Sequence, residues 1–260
     1  MYDWPQVRAA TDALWAAVAE RLRDRGLDAP AALTRDRDPW DIWRDPGLLL
    51  AQTCGLPYVS RLRGTVRLVA TPAYAAAGCA GSDYCSIVVV RGDDPAADLA
   101  ALRGRRAAYN DPGSQSGHAA LCRAVAPLAR DGAFFAAAVR TGAHLDSLRA
   151  VAGGAADVAA VDAVCWALAR RHHPEVTERL RVLARTPATP GLPLVTAAAR
   201  PDAEVAALRA ALDAAAADPA LAVVRDALLI TGFEVRGDGD YEAIARGLRE
   251  AADLGYPDLN

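Results

Sequence analysis

The segment NDPGSQSGHAAL, residues 110–121, carries the residue types best suited to chemistry in this chain. A strand-like run stops at Asn110, Asp111, Pro112 and Gly113 form a turn, and a helical run starts near Ser116. A helix start leaves amide N–H groups unpaired and carries the positive end of the helix dipole. Ser114, Gln115, Ser116, Gly117 and His118 thus form a compact set of donors for an oxyanion, and glycine lets the backbone approach it closely. The same serines can instead serve only as helix caps. The stretch is not a nucleotide P-loop, because no Gly-Lys-Ser/Thr follows.

Other residues extend this set, each with a plainer alternative. His118 offers a proton-dependent donor or lies on the helix surface. His144 opens another expected helix, where it faces a ligand or caps and solvates the terminus. Asp162 ends the strand-like DVAAVD and either orients a ligand amine or hydroxyl or caps the next helix. His172 and His173 sit at a helix end before Pro174, where their charge favours the C-terminus. Tyr2, Asp3, Tyr58, Tyr84 and Tyr109 can supply ring contacts or polar groups, while Tyr74 and Tyr84 fit packing roles. Ser116 with His118 or His144 and Asp162 makes the parts list of a serine triad, but no GxSxG elbow occurs. HExxH is absent, and Asp36, Asp38 and Asp41 do not have calcium-loop spacing. All 29 basic residues are arginine, which excludes a lysine Schiff base. No catalytic residue, cofactor or metal is expected.

Elements able to position these residues are legible in the patterning. Of the 260 residues, 53% are hydrophobic and 23% charged, enough for one large core or two modest ones. Residues 5–25 have helical spacing through Leu14, Trp15, Val18 and Leu22. Strands are predicted at 48–54, 66–71, 86–91, about 106–110 and 157–162. Helices are predicted at 95–103, 116–129, 144–152, 164–173, 202–216, 219–229 and 240–252. This alternation marks an α/β protein. Crossings near 80–92 and 184–196 bracket a middle unit, so residues 1–80 and 190–260 are assigned to one lobe and 81–189 to the other. A hinge and a ligand cleft between lobes follow from that arrangement.

The formal net charge is −3 and the arginine patches lack interleaved aromatics, which argues against nucleic-acid binding. No stretch of about 18 apolar residues occurs, so no transmembrane segment is expected. The N-terminus has no basic segment followed by an apolar one. The location expected is cytoplasmic if Met1 is the true start and periplasmic if a leader precedes it. Five cysteines form no CxxC pair. Cys54 and Cys79 each follow a strand and adjoin a glycine. In a parallel lobe, where strand C-termini converge, they could bridge if their Cα atoms lie within about 7 Å. A Cys79–Cys85 pair and free thiols remain the alternatives.

Taken in order, MYDWPQVRAATDALW, LLLAQTCGLPY, VRLVATPAY, YNDPGSQSGHAAL, GGAADVAAVDAV and TPATPGLPLVTA resemble the phosphate/phosphite/phosphonate substrate-binding family of ABC transporters. The resemblance covers nearly the whole chain, and its most specific part is the SxSG turn after an Asn-Asp strand end. It implies a two-lobed type 2 periplasmic-binding fold that closes on a small oxyanion such as a phosphonate and delivers it to an ABC permease, without chemistry. By that resemblance Ser114, Ser116, Gly117 and His118 hold the anion's oxygens. Tyr2, Asp3, Thr53 and Tyr58 are contacts from the first lobe, Asp162 recognises an amino or polar group, and His144 is a second-lobe contact. Family members carry a strand ahead of the segment resembling MYDWP, and a secretion signal. A monomer is expected. The competing reading is a small-molecule enzyme on the same scaffold, similar to thiamine-precursor synthesis enzymes. A further one is a ligand sensor sharing the binding fold.

Overall fold

The computed structural model of the protein describes residues 2–259. The chain divides into two compact units. One comprises residues up to 75, 80–82 and 191–240, and the other 76–79, 83–190 and 241 onward.

The first unit is built on a four-stranded sheet in the order Ala51–Gln52, Leu194–Ala197, Val66–Tyr74, Ile230–Glu234. All of its pairings are antiparallel, contrary to the parallel lobe expected. The physical reason is the source of the partners. Val66–Tyr74 takes both neighbours from the distant 191–240 segment, which runs in the opposite direction. The apolar run at 48–54 keeps only Ala51 and Gln52 in a ladder. Helix Arg8–Arg23 buries Trp15, Val18, Ala19 and Leu22, the i, i+3, i+4, i+7 stripe of a core-facing helix. They pack with Leu208, Ala211, Leu212 and Ala215 of helix Asp202–Ala217 against Val69 and Ala70. The Trp15 indole N–H is satisfied by donating to the Pro30 carbonyl at 3.1 Å.

The second unit carries a five-stranded mixed sheet in the order Ala137–Arg140, Arg106–Tyr109, Val158–Asp162, Ser86–Arg91, Leu180–Arg185. The first three of these strands run parallel, and Ser86–Arg91 pairs antiparallel with both its neighbours. Val88, Val89 and Val90 are all fully buried, as are Val158 through Val161, so both faces of the central strands are covered. That is why these strands read as unbroken apolar runs instead of alternating ones. The helix expected at 95–103 shrinks to the single turn Ala100–Leu102. Asp94 and Asp98 side chains accept from the amides of Ala96 and Ala101, which competes with helix formation there.

Residues 241–259, assigned from sequence to the first lobe, belong instead to the second unit. Ala251, Tyr256 and Leu259 are buried among Leu121, Cys122, Val125, Phe134 and Phe135, and this apolar contact decides their place. All five cysteines are free. The Cys54–Cys79 bridge is therefore not formed: Cys54 belongs to the first unit and Cys79 to the second, and the strand convergence it relied on requires parallel pairing. Among the described residues, no helix is long and apolar enough to cross a membrane.

Candidate functional site

Strand Arg106–Tyr109 ends beside a tightly tied turn in the second unit. The Gly113 amide donates to Asp111 Oδ1 at 2.8 Å, and the Ser114 amide donates to the Asp111 carbonyl at 3.0 Å. Ser114 stays extended, with φ −84° and ψ 125°, and its Oγ accepts from the Gly117 amide at 3.0 Å. It is thus the helix N-cap, and its own hydroxyl proton remains to be donated elsewhere. A π-helical turn, Gln115–Ala119, follows and runs into α-helix Ala120–Val125. Its first backbone bond is from the Ala119 amide to the Ser114 carbonyl, at 3.1 Å. The wider π turn delays that first bond by a residue compared with an α-helix, leaving more amides ahead of it. The Ser116 amide has no backbone acceptor among the described residues.

His144 approaches the same turn as the first residue of helix His144–Ala152. The connecting loop is fastened to the end of the neighbouring strand Arg106–Tyr109. Thr141 and Gly142 amides donate to the carbonyls of Tyr109 and Asn110 at 2.8 and 2.9 Å. The Thr141 and Ser147 hydroxyls are hydrogen-bonded at 2.7 Å. Ser116 Oγ and His144 Nε2 lie 3.1 Å apart. The His144 residue retains some accessible surface, but its imidazole is packed in protein, and burial pushes its pKa down to about 4. The ring is neutral at pH 7. If Nε2 carries its proton, it donates to Ser116 Oγ and frees the serine hydroxyl to donate outward.

Gly117 is where these pieces meet. A Cβ there would collide with Asn110 Oδ1, come within 2.9 Å of Asn110 Cγ and within 3.1 Å of His144 Cε1. Asn110 Oδ1 and His144 Nδ1 are buried and have no hydrogen-bond partner among the described residues. The turn thus gathers Ser114, Gln115, Ser116, Gly117 and His144, and adds Asn110. Asn110 was visible only as the end of a strand. Its polar side chain just before the Asp-Pro-Gly turn was the available signal.

Two expected ligand contacts have other partners. His118 Nε2 lies 2.7 Å from Asp258 Oδ1, its Nδ1 is 4.0 Å from Cys122 Sγ, and its ring packs edge-on against Tyr109. Asp162, fully buried at the end of its strand, accepts from the Val164 and Cys165 amides at 2.7 and 3.2 Å. It caps helix Ala163–His172, the plainer of its two sequence roles. Asp258 had no local signal at all, since it lies 140 residues from the histidine it meets.

In the first unit, Tyr2 packs edge-on against Tyr74 at 5.3 Å. Asp3 accepts two bonds from Arg35, at 2.6 and 3.1 Å, and lies 3.7 Å from Arg8. Arg35 holds its carboxyl below the usual range against the opposing effect of burial. Thr53 is fully buried, and its amide donates to the Pro193 carbonyl at 3.0 Å. The Tyr58 hydroxyl donates to the Asp238 carboxylate, and burial together with that carboxylate raises the phenol's pKa. A cavity of about 540 Å³ in this unit includes Tyr2 and Asp3 but is walled mainly by Leu14, Trp15, Leu50 and Phe233. Its volume exceeds anything an oxyanion needs. Its arginines are already engaged, Arg35 with Asp3, Arg37 with Asp45 and Arg200 with Glu204, so they offer an anion less than uncommitted donors would.

The family model for the periplasmic substrate-binding protein of phosphonate ABC transporters matches residues 49–241. No curated protein matches the chain. XAC2383 from Xanthomonas citri, bound to chloride ion, superposes with a TM-score of 0.75 at 20% identity, over 97% of this chain and 96% of that one. PA3383 from Pseudomonas aeruginosa, a binding protein component of an ABC phosphonate transporter, gives 0.74 at 19% identity, over 94% and 84%. PhnD1 from Prochlorococcus marinus, in complex with methylphosphonate, gives 0.72 at 17% identity, over 94% of each chain. These likenesses establish the α/β fold of the periplasmic binding proteins.

Proposed function

The chain belongs to the family of periplasmic substrate-binding proteins of phosphonate ABC transporters, and from that premise we propose that it binds a phosphonate or closely related oxyanion at the turn 114–117 and does not transform it. The observation that carries this is the joint placement of the Ser116 amide, the Ser116 hydroxyl and His144 around Gly117. The Ser114 and Ser116 hydroxyls and the Ser116 amide are the donors. His144 is neutral at pH 7 and orients the Ser116 hydroxyl. Attraction then comes from oriented N–H and O–H dipoles at two helix starts, a mode suited to phosphate-like oxygens.

The geometry weighs against the triad reading. Ser116 and His144 are within hydrogen-bond reach, but a serine nucleophile also needs a third group to orient its base. His144 Nδ1 has no carboxylate or other partner among the described residues, and Asp162 is committed to capping its helix. Delivery to a permease follows from family membership.

Calorimetric titration with phosphate, phosphite, methylphosphonate and 2-aminoethylphosphonate tests the proposal on folded protein freed of bound ligand. At least one should bind, and failure of all four would overturn it. Ser116→Ala removes a hydroxyl bonded to a charged oxygen, worth about 1.5–3 kcal/mol. The dissociation constant should rise roughly 10- to 150-fold.

A further inference from the structure

Residues 241–259 run along the helical segment that carries the proposed anion turn. Glu250 accepts from the Arg123 guanidinium at 2.9–3.0 Å. Gly247 lies so close to Arg123 that a Cβ there would come within 2.8 Å of its Cδ. Tyr256 and Leu259 are fully buried in the cluster that includes Leu121, Cys122 and Val125. Asp258 Oδ1 accepts from the Leu259 amide at 2.7 Å, which aims the carboxylate, and the same oxygen meets His118 Nε2 at 2.7 Å.

His118 follows Gly117 directly, and Tyr109, whose ring it touches, precedes Asn110 directly. One contact therefore joins the two chain positions on either side of the turn, and Asp258 holds it from behind. A carboxylate at Nε2 requires a proton on that nitrogen. In the neutral ring Nδ1 is then an acceptor, which faces the Cys122 thiol.

We propose that Asp258, acting through His118, is a positioning residue for the anion-binding turn, so that the C-terminal segment is part of the binding machinery without touching ligand. The inference rests on the anion-binding reading above. Asp258 clamps the imidazole, the imidazole braces Tyr109 against the turn, and the Ser116 amide stays aimed. His118 contributes through its place in this chain of contacts and does not itself hold an anion oxygen.

The test compares Asp258→Ala, Asp258→Asn and His118→Asn in the full chain, using methylphosphonate titration and amide hydrogen exchange. Asp258→Ala should weaken methylphosphonate about 10-fold, the scale of one lost charge-assisted bond. It should speed exchange at 115–119 more than in the strand Val158–Asp162. Asp258→Asn keeps an acceptor oxygen for Nε2–H and should recover most of the affinity. Wild-type affinity in Asp258→Ala would overturn the proposal. So would a loss in His118→Asn far larger than that in Asp258→Ala, which would make His118 a direct contact. If methylphosphonate fails to bind even the wild-type chain, exchange still decides. Acceleration confined to 115–119 supports the brace, and uniform acceleration across the second unit overturns it.

Discussion

Replacing Gly117 by alanine sets two effects against each other in one small turn. Alanine is favoured over glycine within a helix by about 0.8–1 kcal/mol. No left-handed backbone angle at Gly117 opposes the change. Against this stands the methyl group, which would overlap Asn110 Oδ1 and sit 2.9 Å from Asn110 Cγ and 3.1 Å from His144 Cε1. Neither neighbour is a loose surface tip. Each has a buried polar atom, and His144 is also bonded to Ser116. Overpacking of this kind costs about 1–3 kcal/mol. Subtracting the helix gain leaves a net destabilisation between about zero and 2 kcal/mol. Binding should suffer more than folding, because the side chains that must move are those that orient Ser116. Loss of one oriented bond predicts a roughly 10- to 150-fold weaker methylphosphonate complex. Urea titration gives the first quantity and calorimetry the second. Wild-type affinity in Gly117→Ala would refute the claim that a ligand and the backbone meet closely here.

His144 links stability to pH. Its folded pKa of about 4 lies below the ordinary histidine value of 6.5, so its contribution is complete above about pH 6.5 and is lost as pH falls through about 4. The shift corresponds to at most about 3 kcal/mol. His144→Asn should flatten the decline in unfolding free energy between pH 7 and pH 4, and an unchanged slope would remove His144 from the account. Asp162→Ala should destabilise by about 0.5–2 kcal/mol as a lost cap, with Asp162→Asn milder. Neither should alter the preference between 2-aminoethylphosphonate and methylphosphonate, measured by paired titrations; a change in that preference would return Asp162 to the ligand set.

Local signals in the chain are legible because they depend on a few adjacent residues. Helix His144–Ala152 spans the predicted range, and strand Ser86–Arg91 follows its β-branched run. The Ser114 cap and the glycine beside it could be located from hydrogen-bonding capacity alone. What could not be read depends on distant partners. The direction of the neighbours of Val66–Tyr74 is set by residues more than a hundred positions away, so a parallel sheet and a Cys54–Cys79 bridge were equally consistent with local pattern. The helix Asp238–Asp253 was visible as a helix, but its unit was not, since amphipathic spacing says which face is buried and not against what. His118 shows the same limit within the site. Its type and position suit an anion, and only the arrival of Asp258 determines where the ring turns.

The condition of the cysteines makes the molecule a convenient host for a reporter dye. Cys54, Cys85, Cys122 and Cys165 are buried, and Cys79 is partly buried. Burial pushes the Cys79 and Cys122 thiols up to about 12, and drives Cys165 upward as well. Maleimides react with thiolate, a form these groups scarcely populate near neutrality. A single cysteine introduced at Pro112, an exposed position of the turn, would therefore take up an environment-sensitive fluorophore against a low background. Ligand arrival could then be followed by emission in the otherwise native chain, with no need to strip out its five thiols first.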